Sequence, residues 1–234
     1  MASILIILGW CAFILCFMLG IYFGLKYLKK WRTWDSTMWE WEIERFEKAD
    51  KKSFPEKNLI MFTGSSTIRL WKSLSEDMAP LKVLNRGFGG SRIPDLLFYF
   101  DRIVLPYQPK AIVVYCGDND LDGLLKSKPN SAIQVRDNFN KFCDRVVENL
   151  GEIPIFYISM KPPKKRIAIN DEIMLANKLI QESCERNQSL HFIDIFPILS
   201  ENGKIKEDVS RKDGIHLNDR GYQLVITVIK ENLV

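Results

Sequence analysis

Asn58-Leu-Ile-Met-Phe-Thr-Gly-Ser-Ser-Thr-Ile-Arg-Leu-Trp71 is the stretch on which the fold turns. Leu59, Ile60, Met61 and Phe62 form a short apolar run, as expected of a strand covered on both faces. Gly64 permits a sharp turn. Ser65, Ser66 and Thr67 are all possible N-cap residues for a helix continuing through Ile68 and Leu70. A serine at such a turn sits beside backbone N–H groups that no helical carbonyl satisfies, where developing negative charge is stabilised. The same pattern is also an ordinary helix start, so the stretch alone does not make Ser66 a nucleophile.

Working downstream, residues 82–85 read as a second strand, entering the turn Gly87-Phe-Gly-Gly-Ser91. A helix is expected over 94–104 and a third strand over 111–116, ending at Gly117-Asp-Asn-Asp120. Helical periodicity follows over 133–149, a strand over 153–159 and a solvated basic loop over 161–166. A helix over 171–186, a strand over 190–195, an irregular segment over 197–212 and a helix over 218–232 complete the chain. Five alternations of strand and helix argue for a parallel sheet covered on both faces and joined by right-handed crossovers.

Working upstream, residues 3–25 carry no charged side chain. About 23 such residues are enough to span a hydrocarbon core of about 30 Å. Nothing basic precedes the run and no Ala-x-Ala follows it, so an uncleaved transmembrane anchor is expected rather than a removed signal. Lys26, Lys29, Lys30 and Arg32 follow at once, which would keep that flank, and the domain beyond it, in the cytoplasm. Trp31, Trp34, Trp39 and Trp41 suit an interfacial belt. Equally, Trp39, Ile43 and Phe46 have the spacing of a helix packed on the domain. The expected division is an anchor with basic flank over 1–30, a juxtamembrane helix and linker over 31–57, and a catalytic domain over 58–234.

Composition narrows the chemistry. A net charge of +4 over 234 residues is no nucleic-acid signature. The five cysteines have no CxxC spacing and no nearby histidine cluster, so a zinc site is not expected. Gly87-x-Gly89 is followed by Arg92 where a dinucleotide fingerprint needs glycine, and no Walker A sequence is present, so neither nucleotide motif is offered. The only histidines are His191, which opens a strand, and His216.

Ligands of open parallel sheets bind at the carboxyl ends of the strands. Ser66, Gly90 and Asn119 follow the first three strands, and Asp213-Gly-Ile-His216 precedes the last helix. Fold logic brings segments about 150 residues apart to one sheet edge. A serine there needs a base, which His216 can be. Asp213 can orient the imidazole. The Ser66 and Gly90 backbone N–H groups and the Asn119 amide are suitable oxyanion donors. Taken singly, each has a plainer role: Asp213 and Asn119 as turn residues, His216 at a helix start, Gly87 to Gly90 as a tight turn.

Together these residues resemble the SGNH (GDSL-type) hydrolases over about residues 58–230. Phe62-Thr-Gly-Ser-Ser-Thr-Ile resembles the first family block, Asn85-Arg-Gly-Phe-Gly-Gly the second, Gly117-Asp-Asn-Asp the Gly-x-Asn-Asp block, and Asp213-Gly-Ile-His the last. The usual Gly-Asp-Ser is here Gly64-Ser65-Ser66, which leaves two adjacent serines. The resemblance implies a three-layer α/β/α fold, flavodoxin-like, with strand order 2-1-3-4-5. It implies an esterase or lipase without cofactor or metal, with Ser66, Asp213 and His216 catalytic and Ser66, Gly90 and Asn119 holding the oxyanion. The expected partners are a small-molecule or lipid ester and, through the N-terminal helix, a membrane. The other reading is a catalytically silent, membrane-tethered binding module of the same fold.

Overall fold

The computed structural model describes residue 10 and residues 13–25, 35–123, 128–165 and 167–233. They fall into two compact units, Met1–Asp35 with Leu124–Lys128, and Ser36–Gly123 with Pro129–Val234. In the first, residues 13–25 are helical, and Phe13, Phe17 and Phe23 are exposed. No helix among the described residues is long and apolar enough to cross a membrane. The span expected over 3–25 lies only partly within the described residues. Its described helical part, over 13–25, rises about 20 Å. Residues 3–9, 11 and 12, the basic flank and Trp31 and Trp34 lie outside the described residues.

The second unit is built on a sheet of β1 (Ile60–Gly64), β2 (Val83–Gly87), β3 (Ala111–Tyr115), β4 (Ile155–Ile158) and β5 (Leu190–Ile193). All neighbouring strands are parallel, in the order β2-β1-β3-β4-β5. Alternate side chains face opposite layers, as the pleat requires. Met61, Ile112, Val114, Ile155 and Tyr157 pack on one side with Leu96, Phe139 and Ile180. Phe62, Val113, Tyr115, Ile158 and Ile193 pack on the other with Trp71, Val225 and Ile229. The helices that supply these layers are α1 (Glu40–Asp50), α2 (Ser66–Arg69), α3 (Leu74–Asp77), α4 (Ile93–Phe98), α5 (Phe100–Ile103), α6 (Asp118–Asp122), α7 (Ala132–Leu150), α8 (Asn170–Glu185), α9 (Phe196–Leu199) and α10 (Asp219–Leu233).

The three-layer α/β/α arrangement and strand order agree with expectation. Three local differences have physical causes. The helix expected over 94–104 is interrupted at Tyr99, whose hydroxyl turns to the Ser36 carbonyl at 2.9 Å. The segment expected to be irregular contains an antiparallel pair, β6 (Ser200–Glu201) and β7 (Lys204–Ile205), closed by Asn202 and Gly203 with positive φ. The basic loop is not wholly solvated. Lys161 is buried, donating to the Tyr115 hydroxyl at 3.1 Å and pairing with Asp118 at 3.7 Å, while Lys164 and Lys165 are exposed. A buried ammonium persists only where it is paired in this way.

Helix α1 packs within the sheet unit. Ile43 is fully buried, and Asp50 pairs with Arg86 of β2 at 2.6 Å, both almost buried. Arg86 also lies over the Tyr107 and Phe46 rings, which shields the pair from water.

Candidate active site

The carboxyl ends of β2, β1 and β3 are level, with Gly64 opposite Gly87 on one side and Tyr115 on the other. Gly64 has φ +127°, and a Cβ there would stand 2.0 Å from the Tyr115 carbonyl oxygen, so only glycine fits this turn. The Ser65 N–H donates to that same oxygen at 2.9 Å, and α2 begins at Ser66. Ser65 occupies the N-cap position but its side chain makes no capping bond. Its Oγ is buried without a hydrogen-bond partner. Helix α2 is one turn long and is held from outside. The Tyr222 hydroxyl donates to the Thr67 carbonyl at 2.8 Å. Asn85 donates to the Ile68 carbonyl at 2.7 Å and accepts from the Gly87 N–H at 3.0 Å, tying α2 to the glycine turn.

Ser66 Oγ lies 2.9 Å from His216 Nε2, and His216 Nδ1 lies 2.8 Å from Asp213 Oδ2. A carboxylate only accepts, so the imidazole proton belongs on Nδ1 and Nε2 faces the hydroxyl as an acceptor. Asp213 Oδ1 also accepts from the backbone N–H groups of Ile215, at 2.8 Å, and His216, at 3.0 Å. Burial works to raise the Asp213 pKa, but the hydrogen bonds from His216 and Ile215 outweigh it and hold the carboxyl well below its ordinary value. Gly214 (φ +65°) makes the turn between the two residues.

Gly90 and Asn119 are neighbours. A Cβ on Gly90 would lie 3.7 Å from Asn119 Nδ2, which itself donates to the Ser91 carbonyl at 3.1 Å. All five candidate residues thus stand in the sheet unit at the ends or exits of β1, β2 and β3 and in the loop before α10. His191 lies in β5, stacked on Phe156 at 4.6 Å. Among the described residues no group of three or more His, Cys, Asp or Glu side chains is arranged to hold a metal ion.

Two features had no legible signal in the sequence. The first is Glu42 of α1, which is 1% exposed. Its Oε1 accepts from the Gly89 N–H at 2.9 Å, beside Gly90, while Trp39 packs against the Gly89 Cα. The second is a buried carboxyl group, Asp120, one residue beyond Asn119. Burial pushes its pKa up to about 8, helped by Asp95 and Asp118, although the Ile93 N–H and Arg92 act the other way.

Residues 60–224 match the GDSL-like lipase/acylhydrolase family, and the chain belongs to that family. Comparison with curated proteins returns no match. Among solved structures, it is similar to a Streptococcus pneumonia protein described as a candidate platelet activating factor. That similarity has a TM-score of 0.74 and 22% identity, over 93% of this chain and 99% of that one. It is also similar to a GDSL-like lipase from Bacteroides thetaiotaomicron, at TM-score 0.68 and 19% identity, over 82% and 96% of the two chains. An acetyl xylan esterase matches at TM-score 0.63 and 18% identity, over 75% and 100%. At these identities the likeness is one of fold.

Proposed function

We propose that this chain hydrolyses carboxylic esters through a serine nucleophile. The observation that carries the reading is the continuous hydrogen-bonded line from Ser66 Oγ through His216 to Asp213. His216 takes the Ser66 proton as Oγ attacks the ester carbonyl, then gives it to the departing alcohol. Asp213 holds the ring and its tautomer, and stabilises the imidazolium. The Ser66 and Gly90 backbone N–H groups and the Asn119 amide stabilise the oxyanion. Water, activated by the same histidine, then releases the acyl group from Ser66.

Family membership supports acyl transfer, and the names of the similar structures support an ester carbonyl as the reacting group. Lipid and short-chain acyl groups such as acetyl are both compatible. Attachment to a membrane through the N-terminal apolar run, with the hydrolase on the cytoplasmic side, is part of this proposal. It rests on the uncharged stretch and the basic residues after it.

A fluorophosphonate probe tests the chemistry. Wild type and Ser65→Ala should label, and Ser66→Ala and His216→Ala should not. Turnover of p-nitrophenyl esters should fall by about 10⁴-fold or more in Ser66→Ala. A folded wild type that neither labels nor turns over an ester panel would refute the reading. Protease shaving of oriented vesicles tests the membrane side, and digestion from the non-cytoplasmic face would overturn it.

A further inference from the structure

A cleft of about 290 Å³ opens against the edge strand β2, lined by Arg45 and Phe46 of α1, Arg69 of α2, Trp71 and Lys72 just after it, and Asn85. Three cationic side chains line it, and one carboxylate stands among them. Glu42 lies 3.2 Å from Arg45 Nη2 and 3.8 Å from Arg69 Nε, but its Oε1 is already the acceptor of the Gly89 N–H. Arg69 Nε is buried and makes no hydrogen bond. Lys72 is exposed, and no carboxylate pairs with it among the described residues. The cleft therefore has an excess of positive charge, since Glu42 is the one carboxylate among the described residues set against Arg45, Arg69 and Lys72.

The donors come from α1, from the end of α2 and from the loop just after it. A tetrahedral anion with several oxygens meets such a set better than a flat carboxylate, which pairs with one arginine fork. Leu74 and Val83 add apolar wall. The volume is near the lower end for small-molecule pockets. We infer that this cleft binds the phosphate group of a small phosphate ester, one helical turn from Ser66. Arg45, Arg69 and Lys72 would hold the phosphate oxygens, and the apolar wall a few carbons of the attached group. Glycerol phosphate has that chemistry, whether free in solution or as a lipid headgroup.

The test does not depend on hydrolysis. The full chain carrying Ser66→Ala, in non-ionic detergent, is titrated calorimetrically with inorganic phosphate and with glycerol 3-phosphate. Saturable binding of one phosphate per chain is expected, weakened about tenfold or more by Arg45→Gln and again by Lys72→Gln. Both side chains are at the surface, and circular dichroism checks that the variants fold. Tighter binding of glycerol 3-phosphate than of phosphate points to a headgroup-like ligand, and equal affinity points to free phosphate. Either supports the site. Absence of saturable binding by both probes overturns it, as does affinity unchanged in the double variant. Binding only to phosphatidic acid vesicles, with neither soluble probe bound, also overturns it, because surface charge would then account for the attraction.

Discussion

The carboxylate of Glu42 and the backbone N–H of Gly89 are hydrogen-bonded at 2.9 Å, across 47 positions of sequence. Glu42 stands outside the span matched by the family, yet it holds the peptide next to Gly90. A donor aimed at a developing oxyanion is effective only if its direction is fixed before reaction. Glu42→Ala is expected to lower kcat for ester turnover by about 10- to 100-fold with a smaller change in KM, as for loss of an interaction made in the transition state. Glu42→Gln, which keeps an acceptor, should recover part of that loss. Equal kcat in all three proteins would remove Glu42 from the machinery.

Helix α1 also bears on where the folding unit begins. Ile43 is fully buried, and Arg86 would lose Asp50 if the helix were absent. Removing one partner of a buried pair typically costs about 3–5 kcal/mol, and burying one isoleucine contributes about 1.5–3 kcal/mol. A chain starting at Ser36 should therefore unfold cooperatively in urea, and one starting at Asn58 at a much lower midpoint. Equal midpoints would show that α1 adds nothing to stability.

Asn119→Ala is expected to reduce kcat by about 10²- to 10³-fold while leaving fluorophosphonate labelling at Ser66 detectable, because the base survives. Gly64→Ala should fail differently. Its Cβ would collide with the Tyr115 carbonyl, so the loss should appear as reduced thermal stability and yield. Normal stability in Gly64→Ala would contradict the geometry of the turn.

Asp120 sets a pH dependence. Its carboxyl pKa is raised to about 8 in the folded protein by burial and by Asp95 and Asp118. The unfolded chain releases that proton near pH 4. Between these values the folded state binds more protons, so stability falls as pH rises from about 4 through about 8. Asp120→Asn should flatten this slope in urea titrations at pH 5 to 8. Asp213 acts in the opposite sense: its depressed pKa contributes stability above the unfolded value that is lost as pH falls. An unchanged slope in Asp120→Asn would show that this carboxyl is ionised throughout.

The sheet was legible because its strands are short apolar runs separated by glycine and polar turns. The candidate site was legible because parallel-strand logic brings Ser66, Gly90, Asn119 and Asp213 with His216 to one edge. Glu42 was not, since Glu40, Glu42 and Glu44 look alike in the sequence and its partner is a distant backbone N–H carrying no side-chain signal. Lys161 was hidden for a similar reason. In Lys161-Pro-Pro-Lys-Lys-Arg166 nothing distinguishes the lysine that turns inward to Tyr115 and Asp118 from those that face water. The N-terminal run was legible only as an uncharged stretch, and most of the residues that would set the ends of its helix lie outside the described ones.

The single turn of α2 begins without a side-chain cap and takes its position from Asn85, Tyr222 and the Tyr115 carbonyl. The Tyr222 tether can be lost by removing its hydroxyl alone, as in Tyr222→Phe, which leaves the ring packed on Trp71 in its layer. On the proposed serine chemistry, Tyr222→Phe would then shift α2 and lower turnover by more than it lowers the melting temperature. If Ser66 is the nucleophile, a screen that scores only soluble yield or melting temperature would pass such a variant, and its reactivity would have to be read directly.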